Sequence, residues 1–170
     1  MLGKDKSYAP YAGKALTALT AARPNAPDWL LPMLDSYINS SRSLVAATKG
    51  NLISLLKVIR TYDELIDTYG ATSYHPEFLQ GSLLENLPNV FGAHAKAKKR
   101  FESVIAKYNN DPAYTTAKII SFCYLSLGKL SKDSAAKTDY LKKSIEIDTA
   151  GDGGSAQAKQ LLETMSESKS

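Results

Sequence analysis

Residues Phe91 to Asp148 read FGAHAKAKKRFESVIAKYNNDPAYTTAKIISFCYLSLGKLSKDSAAKTDYLKKSIEID. The apolar residues of this stretch recur every three or four positions in three segments, which predicts helices over about 94–108, 112–128 and 134–147. An Asn-Asn-Asp-Pro turn separates the first two helices, and Gly128 followed by a polar link ends the second. The stretch therefore predicts an all-α architecture built from helix hairpins.

The same spacing predicts further helices on both sides of this stretch, and no segment has the alternation typical of a strand. These helices are predicted at about 8–22, 28–45, 52–69, 77–87 and 155–165. Asn51 is a good N-cap for the third helix of the chain, and Gly70 is a C-terminal stop. The last helix has one narrow apolar edge, as a capping helix should, and the glycine-rich segment 149–154 before it is predicted to be a flexible break.

We therefore predict one domain over residues 1–170, an α-solenoid of antiparallel helix hairpins with a C-terminal capping helix. Its parts are N-terminal helices at 8–70, an irregular connector at 71–92, and hairpins plus cap at 93–165. The connector mixes prolines and glycines with apolar residues such as Phe78 and Phe91. It either covers a cavity or fills the gap between helix pairs.

The second predicted helix, from about residue 28, carries more apolar residues than one neighbouring helix needs. Trp29, Met33 and Tyr37 follow one another at helical spacing. Their side chains are either buried between two helices or line a ligand groove. In helix 52–69 a longer stripe is predicted to face the core. It consists of Leu52, Leu55, Leu56, Ile59, Tyr62, Leu65, Ile66 and Tyr69.

The composition of the chain excludes only broad classes of function. The net charge is +4 and the basic residues are spread over several helices, so we expect no nucleic acid partner. Cys123 is the single cysteine, so an internal disulfide is impossible. The first ten residues contain no apolar core of a signal peptide, and no apolar run reaches the length of a membrane span.

Ala97 to Phe101 resembles the Ala-x-x-x-Phe pattern of a tetratricopeptide second helix. Ala117, Ile120, Tyr124 and Gly128 resemble the first-helix positions that pack against that partner. In this family, first helices grip a peptide's terminal carboxylate with Lys and Asn. Here Lys118 has the basic place, but Phe122 stands where the Asn would be. The resemblance therefore implies apolar or aromatic contacts to a partner through Tyr114, Lys118, Ser121 and Phe122.

A narrower resemblance is to the tetratricopeptide-like T-component proteins associated with TRAP transporters. It rests on Phe78-Leu79-x-Gly81-Ser82, Asn86-Leu87-Pro88, Gly92 and Ala97-Lys98-x-x-Phe101-Glu102. It implies a periplasmic helical accessory of an envelope transport system, working with a solute-binding partner and enclosing an apolar cavity. Repeat lipoproteins of outer-membrane assembly resemble residues 97–148 equally well. The compartment stays open, with a periplasmic location, its signal removed, slightly favoured over a cytoplasmic one.

No pattern in the sequence predicts catalysis, a metal site or a cofactor. His75 and His94 are 19 positions apart and lack metal-ligand spacing, and no glycine-rich nucleotide loop is present. We therefore predict a non-enzymatic scaffold that binds a protein, a peptide or an apolar small ligand, with its oligomeric state open. Two alternatives remain. One is a small helical enzyme that uses His75 or His94, and the other is a nucleic-acid-binding module that uses Lys96, Lys98, Lys99 and Arg100.

Overall fold

The computed structural model describes residues 9–89 and 92–167, and within them every regular element is helical. The predicted all-α class is confirmed, while the arrangement of the hairpins as a solenoid stays a prediction. The α-helices are α1 (Ala9–Ala22), α2 (Leu31–Thr48), α3 (Leu52–Tyr69), α4 (His75–Glu85), α5 (Ala93–Asn110), α6 (Ala117–Leu130), α7 (Ser134–Ile147) and α8 (Ser155–Glu167). Short 3₁₀ turns lie at Arg23–Asn25, Asp28–Leu30 and Pro112–Tyr114.

The chain divides into two compact units, residues 1–93 and 94–170. The boundary falls in the first turn of α5, at the end of the connector predicted over 71–92.

In the first unit, α2 is the central helix and packs against α1, α3 and α4. Its buried residues Leu34, Ile38 and Ala46 form one side of the core. Val58 and Tyr62 of α3 and Leu84 of α4 are buried as well. The start of α2 differs from the prediction, because residues 28–30 form a 3₁₀ turn and the α-helix begins at Leu31. Pro32 then falls in the first turn, where its missing N–H has no cost.

Three buried polar side chains connect the helices of this unit to each other's backbones. Asn39 of α2 donates to the carbonyl of Val58 at 2.9 Å, and Gln80 of α4 donates to that of Ile59 at 3.0 Å. The hydroxyl of Tyr62 donates to the carbonyl of Ser36 at 3.3 Å, and burial raises the pKa of this phenol. Since a buried donor left without a partner costs free energy, these bonds favour a single register of α2, α3 and α4.

In the second unit, α7 packs against α6 and α8 around Leu125, Leu141 and Ala158. Partly buried apolar residues surround this core: Phe122, Ile145, Leu161, Leu162 and Met165. The predicted helix end at Gly128 is wrong, since α6 continues to Leu130. Gly128 is buried inside the helix because a Cβ there would lie 2.8 Å from the Leu141 side chain. The glycine therefore allows α6 and α7 to approach closely.

The predicted start of the same helix at Pro112 is also wrong. Pro112–Tyr114 is a 3₁₀ turn capped by Asp111, Thr115 is extended, and Thr116 caps α6 by accepting from the Ile119 N–H. Two consecutive capping signals, Asp-Pro and Thr-Thr, divide what periodicity alone suggested was one helix.

The glycine-rich segment before α8, predicted to be a flexible break, is hydrogen-bonded to Asp148. Its Gly153 N–H donates to both carboxylate oxygens of Asp148, at 3.1 and 3.0 Å, and the Ser155 N–H donates to one of them at 3.1 Å. Asp148 therefore acts as the anionic cap of α8. Hydrogen bonding from Ser155, followed by the backbone bonds from Ser155 and Gly153, lowers the pKa of this carboxyl.

Candidate binding surface

Large exposed apolar side chains of the described residues all lie in the first unit. They are Tyr11, Trp29, Tyr37, Leu44, Leu52, Ile53 and Leu56. Scattered single cases are common on protein surfaces, but seven within a 46-residue span, with none in the described part of the second unit, mark the first unit as the binding candidate.

One part of this surface is aromatic and contains the residues predicted for a ligand groove. Trp29 is 78% exposed and Tyr37 is 43% exposed, so burial between two helices, which the sequence left open for them, does not occur. Met33 is half-buried one turn before Tyr37 on α2.

The aromatic surface continues onto α4. The Tyr37 ring meets His75 edge-on, with ring centroids 6.1 Å apart, and Tyr74 stacks on His75 at 4.1 Å. Tyr74 also meets Phe78 edge-on at 6.4 Å. The structure thus brings Tyr37 and half-buried Phe78 into one cluster through Tyr74 and His75, a link between α2 and α4 that no local sequence pattern indicates.

His75 is held by local contacts within this cluster. Its Nδ1 lies 3.0 Å from the hydroxyl of Ser73, which also accepts from the His75 backbone N–H at 3.4 Å. Burial lowers the pKa of His75, so the neutral ring is favoured. The Ser73 hydroxyl therefore serves the start of α4, and the stacked neutral imidazole acts as part of the aromatic surface.

An ion pair fixes the chain just before the aromatic surface. The Arg23 guanidinium forms two hydrogen bonds with the Asp35 carboxylate, and the Tyr69 hydroxyl donates to the same carboxylate at 3.2 Å. Asp35 raises the pKa of Arg23 through these bonds. Because a bidentate pair has a defined geometry, it orients the 3₁₀ turns that carry Trp29 relative to α2 and α3.

A second part of the surface lies at the N-terminal end of α3. Leu52 is 64% exposed, Ile53 is 71% exposed and Leu56 is 54% exposed. The prediction that Leu52 and Leu56 face the core is therefore wrong. Val58 and Tyr62 are the buried residues of α3, and they lie on the opposite side of the helix. The predicted stripe was wider than the surface that α2 and α4 cover.

An open groove of about 280 Å³ lies beside Leu52. Gly50 has a positive φ of 63°, which allows the tight turn between α2 and α3 that contributes to the lining of the groove. Its lining comes from the end of α2, the turn, the start of α3 and the segment after α4: Ala46, Ala47, Gly50, Asn51, Leu52, Leu55, Asn86, Leu87 and Pro88.

The residues predicted for the second unit do not form an open surface. Ser121 is fully buried, and its hydroxyl bonds Ser144 and the Gly154 N–H. Phe122 packs against the core formed with α7 and α8, and Lys118 pairs with Asp152 at 3.2 Å. Tyr114 lies under Lys107, whose Nζ is 5.5 Å from the ring centroid. Of the residues expected to contact a peptide, Ser121 and Phe122 are therefore covered by the chain's own segment 148–155 and by α7 and α8, while Lys118 stays exposed beside Asp152.

Phe91, the remaining predicted binding residue, lies outside the described residues. Leu52, Ile53 and Leu56 were missed because helical periodicity gives the apolar side of a helix but not how far its neighbours cover it. The charges around them offered a clue that periodicity did not, since no acidic residue occurs between Asp35 and Asp63.

Neither a metal-binding cluster nor a membrane-spanning helix is found in residues 9–89 and 92–167. No group of three or more His, Cys, Asp or Glu side chains there could hold a metal ion. In the same residues, no helix combines the length and apolar character needed to cross a membrane.

Comparison of the chain with protein-family models, with curated proteins and with solved structures finds no match. The function is therefore argued from the chain's own residues.

Proposed function

We propose that this protein is a non-enzymatic helical scaffold that binds a partner protein through its first unit. The observation that carries the proposal is the concentration of exposed large apolar side chains between Tyr11 and Leu56. Full burial of a large apolar side chain contributes about 1.5–3 kcal/mol, and these partly exposed side chains forgo a share of it that a partner covering them recovers.

The inside of the first unit supports a role as a rigid binding scaffold. Backbone carbonyls of α3 accept hydrogen bonds from the side chains of Asn39 and Gln80. The Tyr62 hydroxyl of α3 donates a hydrogen bond to a backbone carbonyl of α2. These contacts hold α2, α3 and α4 in one arrangement without a partner. A surface on such a framework loses little conformational entropy on binding, which favours affinity.

The second unit supports a role as a closed structural module. In the part of it that the structure describes, α8 packs on α6 and α7 as a capping helix would. Of the two clamp positions of α6, Phe122 packs against the core and Lys118 pairs with Asp152. We propose that α6–α8 is a tetratricopeptide-like hairpin with its cap, and that the scaffold serves an envelope transport system. An outer-membrane assembly adaptor is the alternative role for the same architecture.

The test compares partner capture by three forms of the protein. These are the wild type, a first-unit variant carrying Trp29→Ser, Ile53→Ser and Leu56→Ser, and a second-unit variant carrying Lys142→Glu and Lys159→Glu. We expect the wild type and the second-unit variant to capture the same partner, identified by crosslinking and mass spectrometry, and the first-unit variant to lose it. Equal capture by all three forms would remove the first unit from the proposal.

A further inference from the structure

The helices that form the groove carry only positive charge over a long segment. Residues 36–62 contain Arg42, Lys49, Lys57 and Arg60 and no acidic residue. All four cations are exposed. The described part of α1, which packs on α2, adds Lys14 and no carboxylate. Half-buried Glu85 at the end of α4 is the acidic residue nearest in sequence to the groove lining.

The cations lie at both ends of the apolar patch formed by Leu52, Ile53 and Leu56. Lys57 and Arg60 follow Ile53 and Leu56 by four positions, so they continue the same exposed side of α3 by one turn. Lys49 lies in the turn before α3. Within α3, eight positions separate Leu52 from Arg60, which at 1.5 Å per residue corresponds to about 12 Å, or about two turns of the helix.

This charge pattern disfavours a second copy of the chain as the occupant. A two-fold pairing of the apolar patches would bring Lys49, Lys57 and Arg60 of both copies together, without a carboxylate from residues 36–62 of either. Such a contact is electrostatically unfavourable. The recess beside Leu52 favours a protein over a membrane surface as the occupant. A protruding side chain of a protein can fill the recess, whereas a lipid surface would leave it empty.

We propose that the groove and the apolar patch bind a helix of a partner protein that has apolar residues at its centre and acidic residues at both ends. This rests on the proposed function and specifies the partner's chemistry. One apolar side chain of that helix enters the groove, its neighbours cover Leu52, Ile53 and Leu56, and its carboxylates face Lys49 at one end and Lys57 and Arg60 at the other.

The experiment titrates the intact protein into fluorescently labelled synthetic helical peptides and follows anisotropy. One peptide has a leucine-rich centre with glutamates at both ends, and a second replaces every glutamate with lysine. We expect the acidic-ended peptide to bind more tightly by about tenfold or more, with an affinity that falls as salt is added. Equal affinity for both peptides, or tighter binding of the lysine peptide, overturns the proposal.

Variants locate the site. Ile53→Ser with Leu56→Ser should weaken binding of the acidic-ended peptide by about tenfold or more. Lys57→Glu with Arg60→Glu should reverse the preference toward the lysine peptide, while Lys142→Glu with Lys159→Glu, which changes the net charge equally, should not. Unchanged binding by both α3 variants overturns the proposal, provided that circular dichroism shows all variants folded.

The other occupants have their own readouts. Co-sedimentation with phosphatidylglycerol vesicles that Ile53→Ser with Leu56→Ser abolishes would assign the patch to a membrane instead. Dimerisation in sedimentation that the same variant abolishes would assign it to a second copy. If the captured partner depends on Ile53 and Leu56 but the acidic-ended peptide does not bind, the helix proposal fails and the scaffold proposal stands.

Discussion

Ser121 of α6 and Ser144 of α7 form two reciprocal hydrogen bonds in the core of the second unit. The Ser121 hydroxyl donates to the Ser144 carbonyl at 2.8 Å, and the Ser144 hydroxyl donates to the Ser121 carbonyl at 2.9 Å. The Gly154 N–H adds a third bond, to the Ser121 hydroxyl at 2.9 Å. This pair joins α6, α7 and the start of α8, so Ser121 is a structural residue and not part of a partner surface.

Replacing Ser121 with Ala should destabilise the protein by about 1–3 kcal/mol, because the Gly154 N–H and the Ser144 carbonyl would lose partners in a buried site. Denaturant unfolding measures the change. Ser134→Ala, at an exposed position of α7, is the control and should stay within about 0.5 kcal/mol of the wild type. If Ser121→Ala kept full stability and lost partner binding, Ser121 would be a binding residue after all.

Two helix-interior glycines should respond in opposite directions to alanine. Gly128→Ala should destabilise by about 1–3 kcal/mol, because the added methyl would lie 2.8 Å from Leu141 in a filled core. Gly13→Ala in α1, where nothing lies within 4 Å, should stabilise by about 0.4–1 kcal/mol through a reduced unfolded-state entropy. Thermal unfolding of both variants checks this, and a stabilising Gly128→Ala would contradict the close approach of α6 and α7.

Asp148 should make stability depend on pH in the acid range. Its folded pKa lies below the ordinary value of 3.8, so its contribution is fully present above that value and is lost as the pH falls through the folded pKa. Asp148→Asn should therefore be less stable than the wild type at pH 7, with the difference shrinking below about pH 4. A difference independent of pH would show that the carboxylate charge does not stabilise the start of α8.

His75 should add a second pH dependence at a higher pH. Burial among Tyr37, Tyr74 and Ser73 puts its folded pKa below the ordinary value of 6.5, so the unfolded chain takes up a proton first as the pH falls. Its contribution is complete above pH 6.5 and decreases between that value and the folded pKa. The stability of the His75→Phe variant should not fall over this pH range. NMR titration of the His75 ring in the wild type measures the pKa directly. A pKa above 6.5 would contradict the prediction.

Helix positions could be predicted well from the sequence because they depend on local signals. Asn51 caps α3 as expected, accepting from the Ser54 N–H at 3.0 Å, and α3 ends at Tyr69, just before Gly70. The errors occurred where a tertiary contact overrides a local signal. Gly128 was interpreted as a helix end because glycine usually stops helices, whereas its role is to leave room for Leu141.

The candidate surface could be predicted only in part. Trp29 and Tyr37 were selected for surplus apolar character, which left burial and exposure both open, and only the structure shows that the two side chains are exposed. Ser121 and Phe122 were selected by their place in a repeat, but the sequence did not indicate that segment 148–155 and α8 would cover them. Coverage depends on contacts between residues more than 20 positions apart, which no local pattern contains.

Site-specific photo-crosslinking would show which unit of the intact protein contacts the partner. A photoreactive amino acid replaces Ile53 in one protein and Lys159 in another, both at exposed positions. If the first unit carries the binding surface, position 53 should yield a specific crosslinked partner, and excess unlabelled wild-type protein should suppress it, while position 159 should yield none. A specific partner at position 159 with none at position 53 would contradict the account.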